Sequence, residues 1–186
     1  ADNEVIRFDI QRTQELLNGF SDKEYGEHKG LDSLVNGKRV ELIIGGPPCQ
    51  AYSIAGRIRD EQGMKNDYRN YLFESYLRIV THYKPSYFIF ENVPGMLSAA
   101  PDGEPIVKKI RASFLEADYD VLGDFSHALF DLTNFGIPQK RKRVIILGVN
   151  KERFGKQTPY ILHDFYKSVM PSFYTSKRTV RDAIGD

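Results

Sequence analysis

The stretch VELIIGGPPCQAYSIAGR, Val40 to Arg57, decides how the rest of the chain is read. Its first part, Val40 to Gly46, is a short apolar run rich in β-branched residues and closed by two glycines, the pattern of a buried strand rather than a helix. Cys49, the only cysteine, therefore follows the carboxyl end of a strand, behind two prolines that remove amide donors and restrict the backbone presenting the thiol. In open α/β sheets, ligands bind at that edge. A lone cysteine is usually a small buried hydrophobe, but a packing cysteine needs no such setting.

Working outward, strand-like and helix-like segments alternate. Upstream, VIRFDIQRTQELLNGF places Ile10, Leu16, Leu17 and Phe20 at helical spacing, with Asp9 as a candidate cap and Gly19 as a stop. Tyr25 to Lys38 reads as a loop. Downstream, GRIRDEQGMKND has two glycines and little periodicity, so it too reads as a loop. DYRNYLFESYLRIVTHY puts Leu72, Phe73, Tyr76, Leu77 and Val80 on one helical face. SYFIFENV predicts a strand ending at Glu91 and Asn92, and EPIVKKIRASFLEA a helix. YDVLGDFSHALF and RVIILGV read as two further strands. The segment between them, DLTNFGIPQKRK, is too irregular for a crossover helix, so this last pair is expected to be antiparallel. The pattern is that of a doubly wound α/β domain.

Composition sets the outer limits. The 186 residues have the length of one domain, and 41% hydrophobic with 27% charged content is ordinary for a soluble globular protein. With a formal net charge of +1, the chain as a whole has no strong attraction to a polyanion, so any basic footprint must be local. One cysteine excludes a disulfide framework and a multi-cysteine zinc site. His28, His82, His127 and His163 show no metal-ligand spacing, so no metal is expected. The sequence carries no signal peptide, spanning segment or repeat, which makes cytoplasm or nucleoid the default location and a membrane partner unexpected.

Two predicted strand ends carry polar groups into one crevice. Cys49 follows one and Glu91 ends the next, joined by a helix suited to a right-handed crossover. Gln139, Arg141 and Arg143 alternate at the entrance to the last strand and share a face if that entrance is already extended. A thiol nucleophile, a carboxylic acid and guanidinium groups form a chemical set. Read blandly, Glu91 caps a turn and Lys140 to Arg143 is a solvated charged run.

GGPPCQAYSIAGR, FIFENVPGML and IPQKRKRVIILGV, in this order, closely resemble three signature motifs of the DNA (cytosine-5) methyltransferases, and DYRNYLF resembles a fourth. The likeness is dense from Val40 to Val149. It implies a Rossmann-like, mostly parallel sheet with an antiparallel pair at its end, S-adenosylmethionine as methyl donor, and double-stranded DNA as partner. A cognate restriction endonuclease is left open as a second partner. Carried over by position, Cys49 matches the nucleophile that adds to carbon 6 of a flipped-out cytosine. Glu91 matches the acid at ring nitrogen 3 and the exocyclic amine, and Arg143 the contact to the base carbonyl, with Arg141 and Gln139 as companions. Pro47 matches the residue whose carbonyl faces the exocyclic amine, Gln50 and Ser53 belong to the loop that closes on DNA, and Asn92 sits beside the acid. Leu72 and Pro47 are expected near the methyl donor. Asp9 matches the acidic residue on the cofactor ribose, though it serves equally as a helix cap. Asp32, in KGLDSL where the family has Gly-Asp, matches the adenine contact.

The chemistry wants these residue types. Carbon 5 of cytosine is a poor nucleophile, and thiolate addition at carbon 6 turns it into an enamine-like carbon able to attack a sulfonium methyl. The target must leave the base stack, which costs a few kcal/mol. Against the family pattern, the glycine-rich cofactor turn and the variable target-recognition region are missing. Residues 1–186 therefore read as the central piece of one catalytic domain. Three alternatives remain: an inactive fragment or subunit that needs a partner chain, transfer to RNA cytosine, and a thiol hydrolase built on Cys49.

Overall fold

A computed structural model describes residues 4–47, 72–100 and 103–185. Cys49, Gln50, Ser53 and the loop expected at Gly56 to Asp67 lie outside the described residues. The chain opens with a short helix α1 (Thr13–Asn18), a hairpin of β1 (Phe20–Asp22) and β2 (Gly26–His28), and helix α2 (Leu31–Val35). β3 (Leu42–Gly45), helix α3 (Leu72–Tyr83), β4 (Tyr87–Asn92) and helix α4 (Ile106–Glu116) follow. Then come β5 (Tyr119–Asp120), β6 (Leu129–Asp131) and β7 (Lys142–Asn150).

The main sheet has the order β3-β4-β7-β5, with β6 also on β7. β3 and β4 are parallel, Leu42 opposite Tyr87 and Gly45 opposite Phe90, as expected for strands joined by a crossover helix. β7 is antiparallel to β4, β5 and β6. Four strands thus share one direction and β7 alone opposes them.

Three local expectations are corrected. Phe20 belongs to β1 rather than to the first helix, because Gly19 at φ 114° ends that helix. Tyr25 to Lys38 is not all loop: the Asp22 carboxylate accepts from the N–H groups of Glu24 and Tyr25 and closes a hairpin, after which α2 forms. YDVLGDFSHALF is not one strand. Asp124 accepts from the Ser126 N–H at 2.8 Å and starts a 3₁₀ turn over Phe125–Ala128, which splits the run into β5 and β6.

Both sheet faces are covered, unequally. On one face Phe88, Phe90, Val144 and Ile146 are almost wholly buried, against Tyr76 and Val80 of α3 and Ile110 and Phe114 of α4. Gly148 lies opposite Phe88, and a Cβ there would fall 2.0 Å from the ring, so only glycine fits. On the other face Tyr87 stacks on Phe154 at 5.0 Å, while Leu162 of the helix Thr158–Asp164 and Tyr166 join the core. The exposed side chains of Leu42 and Ile44 mark where that second layer stops.

Tyr166 has a backbone task as well. β6 occupies the edge of β7 at Lys142 to Val144 and β5 at Val149 and Asn150, which leaves the edge between them without a strand. The Tyr166 hydroxyl accepts from the Leu147 N–H at 2.8 Å and donates to the Ile145 carbonyl at 3.1 Å. Among the described residues no helix is long and apolar enough to cross a membrane, and no group of His, Cys, Asp or Glu is arranged to hold a metal ion.

Tyr166→Phe keeps the ring and strips the partner from two backbone groups. Equilibrium urea unfolding is expected to show a loss of about 1–3 kcal/mol, the cost of a buried unsatisfied polar group. Alkali should act through the same class of residue. Burial raises Tyr76, Tyr119 and Tyr166, with Tyr119 pushed up to about 12. Since these folded values exceed that of an unfolded tyrosine, about 10, stability is full below about pH 10 and is lost as pH rises through the folded values. Unfolding midpoints measured at rising pH should fall in that window, and Tyr119→Phe should fall less steeply.

Candidate active site at the ends of β3 and β4

The parallel register sets the site. With Gly45 opposite Phe90, the next residue, Gly46, comes beside Glu91. Alternation along a strand sends Gly45 and Gly46 to opposite faces, and each glycine makes room for a different neighbour. A Cβ on Gly45 would fall 2.4 Å from the Tyr76 ring, whose hydroxyl donates to the Ile89 carbonyl at 3.0 Å and so spans the β3–β4 seam. A Cβ on Gly46 would fall 2.8 Å from Glu91 Oε2. The glycine pair is the signal that sequence reading left unused: one serves the core, the other clears space for the carboxylate. Pro47, half-buried, continues the chain toward Cys49.

β7 supplies the cation. Because it runs against β4, its amino-terminal end meets the carboxyl end of β4, with Asn92 opposite Val144. Arg143 Nε donates to Glu91 Oε1 at 2.7 Å, and Arg143 Nη1 donates to the Lys142 carbonyl at 2.8 Å. The guanidinium is mostly covered, with its side chain 18% exposed, whereas Glu91 at 38% keeps an open side.

The other expected residues fall as follows. Arg141 and Gln139 are exposed on the lead-in, but β7 starts only at Lys142 and a bend occupies Pro138 and Gln139, so the extended entrance that would align Gln139 with Arg143 is not formed. The Gln139 N–H instead donates to the Ile137 carbonyl. Asn92 is buried on the opposite face from Glu91, and its Oδ1 accepts from the Val93 N–H, which shapes the turn into Pro94–Ser98. Leu72 is buried at the start of α3.

Asp9 and Asp32 stand apart from the Glu91–Arg143 pair. Asp9 Oδ1 accepts from the Gln11 N–H at 2.9 Å in the turn before α1. Asp32 Oδ1 takes Tyr83 Oη and His82 Nε2, both at 2.8 Å, and these contacts, the tyrosine first, hold its carboxyl below the usual range. His82 and Gln11, together with Arg12 and Arg78, line an open depression of about 470 Å³ between α1 and α3. The Oδ2 atoms of both carboxylates have no partner among the described residues. Neither carboxylate lines that hollow, and each is engaged by its own local partners, so the described residues do not gather Asp9 and Asp32 into one cradle for the nucleoside end of the methyl donor.

The sheet thus carries an acid and an arginine together at the carboxyl edge of β3 and β4, the edge at which open α/β sheets bind ligands. The comparisons say which family. A model described as C-5 cytosine-specific DNA methylase matches residues 11–186, and the chain belongs to that family. It is 43% identical over 151 residues to the type II methyltransferase M.Bpa9945I of Bacillus paralicheniformis, covering 79% of this chain and 32% of that protein. It is 34% identical over 151 residues to M.XorII of Xanthomonas oryzae pv. oryzae, covering 81% of this chain and 30% of the relative. The chain thus spans about a third of the length of the curated relatives it matches. A solved structure of the Entamoeba histolytica methyltransferase EhMeth is similar at a TM-score of 0.44 and 22% identity, over 68% of this chain and 38% of that one.

The two glycines make separable predictions. Gly45→Ala should destabilise by about 1–3 kcal/mol through overpacking on Tyr76. Gly46→Ala meets only the flexible end of Glu91 and should change unfolding free energy by less than about 1 kcal/mol. Its crystal structure should nevertheless show the Glu91–Arg143 contact opened beyond about 4 Å.

Proposed function

We propose that this chain carries the covalent chemistry of a DNA (cytosine-5) methyltransferase. The observation that supports the reading most directly is the Glu91–Arg143 pair set over Gly46, at the strand end that leads through Pro47 to Cys49. Bound S-adenosylmethionine supplies an electrophilic methyl group; the chain's own residues prepare the base to take it.

Cys49, as thiolate, adds to carbon 6 of the extruded cytosine, forming a carbon–sulfur bond and pushing the ring electrons toward carbon 5 and nitrogen 3. Glu91 works as a general acid: carrying a proton taken up from water, it donates to ring nitrogen 3 and accepts from the exocyclic amine, offsetting the negative charge that gathers on the ring. Arg143 turns from Glu91 toward the base carbonyl. The base therefore replaces one ion-pair contact with a contact to each partner: Arg143 gains the base carbonyl as acceptor, and Glu91, carrying its proton, leaves no charge unpaired. Once carbon 5 carries the methyl group, loss of its proton returns the electrons that expel the Cys49 thiolate. By the family resemblance, Asp9 and Asp32 are the residues that would face the nucleoside end of the cofactor. In this reading residues 1–186 work as the central piece of one catalytic domain.

Substrate analogues test the scheme. In the complete enzyme, a duplex with 5-fluorocytosine at the target should become covalently attached when S-adenosylmethionine is present, because fluorine cannot leave as a proton does. Cys49→Ala should abolish the adduct on a denaturing gel; an adduct that persists would remove Cys49 from the role. Glu91→Gln should lower turnover by about 10²-fold, in line with general-acid effects, with a smaller change in DNA affinity. Trapping of the matching RNA duplex, with DNA left free, would overturn DNA as substrate.

A further inference from the structure

Before Arg143, the lead-in to β7 carries exposed Lys140, Arg141 and Lys142. A second basic pair, Lys177 and Arg178, lies far along the chain, and the fold brings it back to the same place. The Thr175 N–H donates to the Asn134 carbonyl at 2.8 Å, and the Tyr174 ring meets Phe135 edge-on at 5.0 Å. Gly136, at φ 75°, sits so close beneath this segment that a Cβ would lie 2.6 Å from Thr175 Oγ1. Residues 174–176 are thus a strap laid over the turn that precedes β7.

Lys177 follows the strap directly and comes within electrostatic reach of Asp131. Asp131 is also the cross-strand neighbour of Lys142. Its carboxyl is held below the ordinary range, first by the Thr133 N–H and hydroxyl and further by Lys142 and Lys177. That carboxylate is within electrostatic reach of both lysines, with Oδ1 taken up by Thr133. It offsets the repulsion between the ammonium groups without neutralising both. Arg178 lies near Asp182, whose carboxylate is engaged by Thr179 in the cap of the helix Val180–Ile184. In a chain of net charge +1, this gathering of exposed cations at the mouth of the site is a local feature.

We propose that Lys142, Lys177 and Arg178 form a clamp for the sugar–phosphate backbone of duplex DNA beside the Glu91–Arg143 pair. The inference rests on the function proposed above and adds the residues that hold the substrate in register. Lysine ammonium groups suit this task, since they bind phosphates as point charges and carry no sequence information. Extruding a base costs a few kcal/mol that backbone contacts near the site must offset.

The clamp is tested by the salt dependence of binding. With the complete enzyme and a short mixed-sequence DNA duplex, the slope of log K against log salt should become shallower by about 0.9 for each phosphate contact removed. Lys142→Gln, Lys177→Gln and Arg178→Gln should each show that change. Lys177→Arg should keep the original slope, as should Lys108→Gln on the exposed side of α4. KM for DNA should rise for Lys177→Gln, because a residue that holds DNA acts on KM. Lys177→Gln/Arg178→Gln alters only exposed strap residues, so it guards against a variant that fails to fold. An unchanged slope in that double variant, with 5-fluorocytosine trapping intact, would overturn the clamp and leave the methyltransferase reading standing. A parent enzyme with no salt-dependent duplex binding would overturn both. A slope change seen on an RNA duplex alone would overturn the clamp as a DNA site.

Discussion

The antiparallel course of β7 is the constraint on which the rest depends. In a sheet whose other strands share one direction, residues at strand starts and strand ends lie on opposite edges, so a basic segment entering a strand would sit far from an acid leaving one. Reversing a single strand removes that separation and brings Arg143, at the start of β7, to Glu91, at the end of β4. The reversal has a cost in hydrogen bonding. β7 runs nine residues, longer than either partner on its outer edge, and an unpaired backbone group in the interior is expensive. Tyr166 supplies with one hydroxyl the donor and acceptor that a longer neighbouring strand would have provided.

The ion pair that results contributes little to stability. A pair with one partner 38% exposed sits in the range where exposed salt bridges are worth roughly 0–1 kcal/mol. Its consequence is geometric. Arg143 is held by Glu91 on one side and by the Lys142 carbonyl on the other, and Glu91 is steered over Gly46, where no side chain competes. A weak pair is easily exchanged for contacts to a ligand, whereas a fully buried one would resist opening because each separated charge would lose its only partner.

How much of this was legible in the sequence varies with the length of the signal. The strands at Leu42–Gly45, Tyr87–Asn92 and Lys142–Asn150 and the helices at Leu72–Tyr83 and Ile106–Glu116 carry clear periodicity, and all were readable. Glu91 and Arg143 were readable at strand boundaries but not as a pair, since that needs β7 to run against β4, and the sequence pattern pointed to an antiparallel course only between the last two strands. The hairpin Phe20–His28 was not, because three-residue strands are too short to show alternation and are set by the Asp22 turn. The split between β5 and β6 depends on one Asp124 side chain competing for the backbone, which no periodicity reports. The layer over the second sheet face did leave a trace: Leu162 and Tyr166, four residues apart, are a helical pair. Proline at 159 and 171 and the widened π turn at Phe165–Val169 blur the pattern around them. The strap over Gly136 could not be read at all, since it depends on contacts between segments far apart in sequence.

The two ends of the sheet are built for different tasks. At the end away from the site, Tyr119 and Asn150 both donate to the Pro85 carbonyl, the Asn150 N–H donates to the Ser86 carbonyl, and the buried Ser86 hydroxyl bonds Glu41, which also pairs with Arg153. Ser86, Tyr119 and Asn150 are buried there and mutually satisfied, an arrangement that fixes the start of β3 and β4 against β7. At the site end, polar groups are half-open, and Glu91 Oε2 has no hydrogen-bond partner among the described residues. Rigidity at one end defines where the strands point, and unfilled polarity at the other is what a substrate can use. The parallel register of β3 with β4 carries that positional information along the strands from the closed end to the open one.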